Sequence, residues 1–225
     1  MIRKICYTCI TGSYDELRKP AIMTEGWRYI CFTDNKELLK HKIHNGYEII
    51  RLENNLDPVR KARYVKIMAP GLKADYLIWH DANMQVSCNL DMFVKVYLRD
   101  SDIALPVHPD RNCVYEEARK CRSLNKDSRK VLNEQIIFYR KQGMPRARGL
   151  FATGVLVRRA FNKRASVFYK FWWDHIVQFS RRDQISLAYC MWKHKDLIRV
   201  NYYTFSDMLL HFPKIKHKMN IYVKR

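Results

Sequence analysis

From residue 4 to residue 107 the sequence alternates short apolar runs with polar turns and polar or helically patterned stretches. The apolar runs are "KICYTCI" (4–10), "WRYICFT" (27–33), "YEIIRL" (47–52), "DYLIW" (75–79) and "DIALPV" (102–107). "SYDELRKP" (13–20) reads as a short polar turn or helix. "DNKELLKH" (34–41) reads as a helix start, with Asp34 as cap and Glu37 three residues on. "PVRKARYVKIMAP" (58–70) has proline in its first turn and at its end, as a helix does, and "NLDMFVKVYLR" (89–99) is also helical. Strands alternating with helices predict a mostly parallel central sheet flanked by helices, an α/β, Rossmann-like architecture.

The second half changes character. "VYEEARKCRSL" (114–124), "SRKVLNEQIIFYRKQG" (128–143) and "DQISLAYCMWK" (183–193) are helical, the second stopped by Gly143. In "ASVFYKFWWDHIVQF" (165–179), Phe168, Phe171, Trp172, His175, Ile176 and Phe179 recur at helical spacing and predict a buried stripe. "GLFATGVLVRR" (149–159) is β-rich, "IRVNYYTF" (198–205) suits a strand, and the basic stretch from Pro213 reads as irregular. Without repeats or Gly/Ser-rich linkers, the 225 residues are expected to form one domain. Its nucleotide-binding half would be about 1–110, its acceptor half about 111–212 and its basic tail 213–225.

With 48% hydrophobic and 13% aromatic residues, the chain can bury a core and is far from a disordered composition. No apolar run is long enough to cross a bilayer, and the first residues lack the long apolar region and cleavage site of a signal peptide. Seven scattered cysteines then read as reduced thiols in the cytoplasm. Cys6 and Cys9, three apart in a strand, would face opposite sides, which argues against half a zinc site. A formal charge of +20 favours an anionic partner: nucleic acid, an anionic membrane face or a nucleotide diphosphate. The basic residues come with no RNA-recognition, zinc-finger or helix-turn-helix signature, so nucleic acid is not the expected partner.

In open α/β sheets ligands bind beyond the carboxyl ends of the strands. The turns there are Thr11-Gly12-Ser13-Tyr14-Asp15, Thr33-Asp34-Asn35, His80-Asp81-Ala82-Asn83 and His108-Pro109-Asp110-Arg111, and they would converge on one rim. Asp81 and Asn83 put two oxygen-bearing side chains one residue apart at a strand end, as a hard cation bridging two phosphates requires. Arg60, Arg63 and Lys66 share one flank of a helix and suit a pyrophosphate, or equally a solvated face. Plainer readings stand beside these. Asp34 fits a helix cap, Ser180 with Asp183 fits a capping box, Asn83 could cap the next segment, His108 could be a loop histidine, and Glu134 could be a surface residue.

"WHDAN", "ALPVHPDRNCVYEEA", "EQIIFYRKQGMP", "GLFATGVLVRR" and "RRDQISLAYCMWK", in that order, resemble the TOD1/MUCI70-like glycosyltransferase family over about residues 4–195. The resemblance implies a GT-A fold and a nucleotide-sugar donor, most simply a UDP-sugar. It also implies hexosyl or uronosyl transfer to a glycan, polysaccharide or lipid-linked acceptor with retention of configuration. Asp81-Ala82-Asn83 falls where such enzymes carry the DxD motif, which binds Mn²⁺ or Mg²⁺. Thr11, Gly12, Tyr14 and Asp34 fall where base and ribose are held, and Arg60 and Arg63 where a helix meets the phosphates. Asp183 and Gln184 match an Asp-Gln pair near the transferred sugar, with Glu134 a further catalytic candidate. His108, Arg111, Thr153 and Gly154 would face the acceptor. A C-terminal histidine, His211 or His217, would be the third metal ligand. Asn83 departs from the pattern, because a neutral amide binds a divalent ion more weakly than a second acid.

The resulting expectation is a cytoplasmic glycosyltransferase, peripheral at the inner membrane face. The alternatives are a nucleotide-sugar hydrolase or nucleotidyltransferase on the same type of sheet, and a basic polyanion-binding module without catalysis. Salt-sensitive binding to nucleic acid without any nucleotide effect on melting would mark the last.

Overall fold

The computed structural model describes residues 2–160 and 163–215. Its centre is an eight-stranded sheet. The strands are β1 (Lys4–Ile10), β2 (Trp27–Thr33), β3 (Ile43–His44), β4 (Tyr47–Arg51), β5 (Tyr76–His80), β6 (Ile103–Pro106), β7 (Val155–Arg159) and β8 (Val200–Tyr203). They lie in the order β3-β4-β2-β1-β5-β7-β6-β8. β4, β2, β1 and β5 form the parallel block anticipated from the alternation. β7 then inserts antiparallel between β5 and β6, and β8 adds parallel to β6. The mixed half explains why the second part of the sequence reads differently: an antiparallel neighbour needs no strand-helix-strand crossover.

Both faces of the sheet are covered. Along β1 the side chains alternate, so Ile5, Tyr7 and Cys9 enter one core cluster while Cys6 and Ile10 enter the other. The first cluster lies under α1 (Pro58–Met68), α3 (Val114–Ser123), α4 (Arg129–Lys141), α5 (Lys163–Gln178) and α6 (Asp183–Lys193). Phe168, Trp172 and Ile176 of the aromatic stripe are buried in it. The second cluster is closed by α2 (Leu90–Phe93), which continues as a π-helical turn over Val94–Leu98, and by α7 (Phe205–His211). All seven cysteines are buried and unbridged. No helix among the described residues is long and apolar enough to cross a membrane.

Four local expectations change. Residues 34–41 make only a 3-10 turn, Leu38–Lys40. Asp34 caps no helix, because its carboxylate accepts from the Gly12 amide at 2.6 Å and from Lys61 Nζ at 2.8 Å. Of the two readings of residues 13–20, the structure has the turn, followed by irregular chain, and not the helix. Ser180 and Asp183 form no capping box: Ser180 Oγ donates to Asp127 Oδ2 at 2.8 Å, and Asp183 turns inward. The start of the basic tail is also regular. Lys214 bridges to Met84, the Gln85 amide donates to the Pro213 carbonyl, and the Ile215 amide donates to the Asn83 carbonyl. His217 lies outside the described residues.

Candidate active site

The strand β5 delivers the centre of the site. Trp79 is buried, and its Nε1–H donates to Asp81 Oδ1 at 3.0 Å. The Asp81 amide donates to the Gly154 carbonyl at 2.8 Å, and the Met84 amide closes the turn onto the Asp81 carbonyl at 2.9 Å. His80 points the other way. Its Nε2 meets the Tyr47 hydroxyl at 3.0 Å and its Nδ1 the Asp81 carbonyl at 3.1 Å. Burial pushes its pKa down to about 4, so the ring is a neutral strut and not an acid–base group.

Helix α1 approaches from the neighbouring crossover. Its start is fixed by Asp57, whose Oδ1 accepts from the Val59 and Arg60 amides at 3.1 Å each, with Pro58 in the first turn. Its three flank cations have different fates. Arg60 closes the end of α5, donating from Nε to the Ile176 carbonyl at 3.0 Å and from Nη2 to the Phe179 carbonyl at 2.8 Å. Arg63 places Nε 3.4 Å from Asp183 Oδ1. Lys66, whose side chain is 0% exposed, puts Nζ 2.8 Å from Asp81 Oδ1 and 2.8 Å from Asp183 Oδ2. It also donates to the Thr153 carbonyl at 2.9 Å, and the Thr153 hydroxyl donates to Asp183 Oδ2 at 2.9 Å.

Asp183 begins α6 and is buried. Burial alone would raise its carboxyl pKa. The charges of Arg63, Lys66 and Arg182 overturn that and hold it well below the usual carboxylate range. The group is therefore an anion at any physiological pH.

Arg63, Asp81, Thr153 and Asp183 line a cleft of about 980 Å³, with Lys66 behind them. Thr11, Tyr14, Pro58, Ala82, Asn83, Gly154 and Gln184 line it too. The remaining wall carries His108, Arg111, Glu117, Lys126 and Arg182. There Arg111 donates from Nε to Glu117 Oε2 at 2.8 Å, and the Cys121 thiol donates to Glu117 Oε1 at 3.2 Å. His108 Nδ1 accepts from the amides of Asp110 and Arg111 at 3.2 Å each. Burial, then the Arg111 charge, lower its pKa.

A family model for the TOD1/MUCI70, glycosyltransferase-like domain matches residues 2–217. The chain belongs to that family. No curated protein matches it. Among solved structures, the glycosyltransferase GlyE of Streptococcus pneumoniae TIGR4 superimposes with a TM-score of 0.50 at 12% identity, covering 90% of this chain and 45% of GlyE. The chain thus spans less than half the length of GlyE. Mouse xyloside xylosyltransferase 1 gives 0.46 at 12% identity, covering 96% of this chain and 95% of that one. The galactosyltransferase LgtC gives 0.46 at 13% identity over 88% and 72% of the two chains. The likeness to GlyE is a likeness of fold, and the fold of this TOD1/MUCI70-family domain is GT-A. The family model describes a glycosyltransferase-like domain, and the fold accords with that description.

Most of the residues singled out in the sequence meet in this family member's cleft: Thr11, Tyr14, Arg63, Asp81, Ala82, Asn83, His108, Arg111, Thr153, Gly154, Asp183 and Gln184. Gly12 and Asp34 stand behind the wall, tied to each other, so they shape the Thr11–Tyr14 loop. Three expectations are corrected. Arg60 is spent on the end of α5. Glu134 is exposed on α4 and does not line the cleft. The imidazole of His211 packs on Phe93 and meets the Tyr97 hydroxyl through Nε2 at 3.2 Å, away from Asp81. Sequence reading underrated Lys66 and missed Glu117, Lys126 and Arg182. Glu117 carries a weak signal, an acid followed four residues later by a cysteine within an otherwise basic helix.

Asp81 and Asn83 are the oxygen-bearing side chains of the turn after β5 that line the cleft. Lys66 and Trp79 hold Asp81 Oδ1, which leaves Oδ2. No three His, Cys, Asp or Glu side chains gather as a metal site among the described residues. Such a pair fits an ion that shares its coordination with donor phosphates and water, not one caged by protein alone.

Proposed function

We propose that the domain transfers a hexosyl or uronosyl group from a nucleotide-diphosphate sugar, with UDP as the expected nucleotide, to a glycan, polysaccharide or lipid-linked acceptor with retention of configuration. The supporting observation is Lys66, a fully buried ammonium 2.8 Å from both Asp81 and Asp183. It ties the phosphate end of the cleft to the carboxylate nearest the transferred sugar.

Thr11 and Tyr14 hold the nucleotide, and Asp34 keeps their loop in place through Gly12. As the bond from the anomeric carbon to the diphosphate breaks, negative charge grows on the leaving oxygen. Arg63, which lines the cleft, is a fixed cation that needs no reorganisation to meet it, and Lys66 holds Asp81 and Asp183 in place from behind. Mn²⁺ or Mg²⁺ held by Asp81 and Asn83, when bound with the donor, supplies further charge neutralisation of the leaving diphosphate. Asp183 stays ionised and offers its negative charge to the carbon that becomes positive. Gln184 beside it offers a neutral amide to a sugar hydroxyl. His108 and Arg111 orient the acceptor.

A thermal-shift panel of UDP, GDP, CDP and their sugars, with and without Mn²⁺, tests the reading. At least one diphosphate should raise the melting temperature, and Arg63→Ala should lose most of that rise. A flat response across the panel would overturn the reading. Asp81→Ala should remove turnover while keeping a cooperative melt; full activity in that variant would sink the assignment of Asp81 to the donor.

A further inference from the structure

Lys126, in the cleft, has no direct ion-pair partner among the described residues. Lys126 is half-buried in the wall, yet it makes no ion pair and no side-chain hydrogen bond with any described residue. The nearby carboxylates are already committed. Glu117 is held by Arg111 at 2.8 Å. Asp127 accepts from the Ser180 hydroxyl at 2.8 Å and the Arg181 amide at 2.9 Å. Asp183 is engaged by Lys66, Arg63 and Thr153.

The position is also built, not floppy. Asn125 takes a left-handed conformation at φ 49°, and the Lys126 amide returns to the Cys121 carbonyl at 2.9 Å, folding the loop back over the end of α3. Asp127 then latches this loop to the turn carrying Arg182. Burial, followed by the charge of Arg182, depresses the Lys126 pKa. Lys126 adds a cation beside Arg182 without a direct ion-pair partner of its own, and a ligand that supplies one offsets the cost of holding it there.

We infer that Lys126 and Arg182, with Arg111 on the same wall, bind an anionic group carried by the acceptor, a carboxylate or a phosphate. The inference rests on the glycosyltransferase reading, because it assigns this wall to the acceptor. That reading assigns the donor's phosphates to Arg63 and the Asp81 turn.

The test uses the intact protein saturated with whichever of UDP, GDP and CDP gives the largest thermal shift. Glucuronate, glucose 6-phosphate and glucose are then titrated by calorimetry. Binding of one or both anionic sugars but not glucose is expected, and the stronger of the two identifies the group. Lys126→Met should weaken that binding roughly ten- to hundredfold, as for a lost hydrogen bond to a charged group, while Lys126→Arg retains it. The ligand-free melting temperature of Lys126→Met should be unchanged or higher, the opposite of what a structural role predicts. Equal anion binding in Lys126→Met overturns the inference. So does absence of anion binding in a protein that binds its nucleotide, a result that leaves the donor reading standing. Failure of every nucleotide to bind overturns both.

Discussion

Lys66 is the residue on which the site's electrostatics turn. Its ammonium is fully buried and has three oxygen partners, Asp81, Asp183 and the Thr153 carbonyl. Removing it leaves Asp183 buried with Arg63 at 3.4 Å as its remaining close cation. Lys66→Met should therefore destabilise the fold by roughly 3–5 kcal/mol, measured as a drop in denaturant midpoint with unchanged slope. The same substitution should move Asp183. In the intact protein its depressed pKa means that its contribution to stability is present above the unfolded carboxylate value of about 4, and is lost only as pH falls through the lower folded value. Activity should accordingly show no acid limb from Asp183 between pH 5 and 9, and one should emerge in Lys66→Met as burial pushes the carboxyl up. At this scale the sequence was readable by type but not by destination. Arg60, Arg63 and Lys66 share one spacing, yet one closes α5, one lines the cleft and one is buried. Only the position of α5 and α6 relative to α1 decides among them, and no local pattern encodes it. Glu134 and His211 failed for the same reason, since a helical face can be read from the sequence but not which neighbour it meets.

Among the elements, α1 carries most of the positioning, and its start depends on Asp57. This carboxylate caps two amides, pairs with Arg60 Nη1 at 2.9 Å and faces Arg181 at 3.8 Å. Asp57→Ala should cost about 1 kcal/mol of stability. Because α1 presents Pro58 and Arg63 to the cleft, the variant should also bind nucleotide more weakly, whereas a surface change such as Lys170→Ala should do neither. The parallel strands and their crossover helices were plain in the sequence because their pattern is local: alternating apolar runs, capping residues and stop signals. Two signals present in the sequence went unread. Asn45-Gly46, at φ 49° and 85°, turns the β3–β4 hairpin. Thr204 with Asp207 makes the capping box that starts α7. The direction and place of β7 were not readable, because insertion between β5 and β6 depends on partners far away in the chain. The reading of 34–41 as a helix failed because Asp34 had a stronger use in holding Gly12 and Lys61.

For the molecule as a whole, burial of neutral histidines sets an acid limit on stability. His80 is held at about 4, below its unfolded value of about 6.5, so between these two pH values the unfolded chain binds a proton that the folded one does not. Stability should fall as pH drops from about 6.5 to about 4, by roughly 3 kcal/mol from this group. His175, also held at about 4, acts in the same direction. Denaturant melts across that range should show the loss, and His80→Gln should flatten it. The pairing of Lys214 with Met84 has a temporal meaning as well. Residues 83–85 follow the central strand through a turn, and two of their backbone hydrogen bonds, to Pro213 and Ile215, reach the far end of the described chain. Lys66 and Asp183, likewise, are 117 residues apart. Contacts of such long range form late, since the loop they close must be ordered first. During synthesis the first strands of the sheet can pair while the ligand cleft remains unfinished, and the cleft is complete only once residues 183–215 have joined it. In refolding, burial of Trp79 should precede recovery of nucleotide binding; simultaneous recovery of both would contradict this order of assembly.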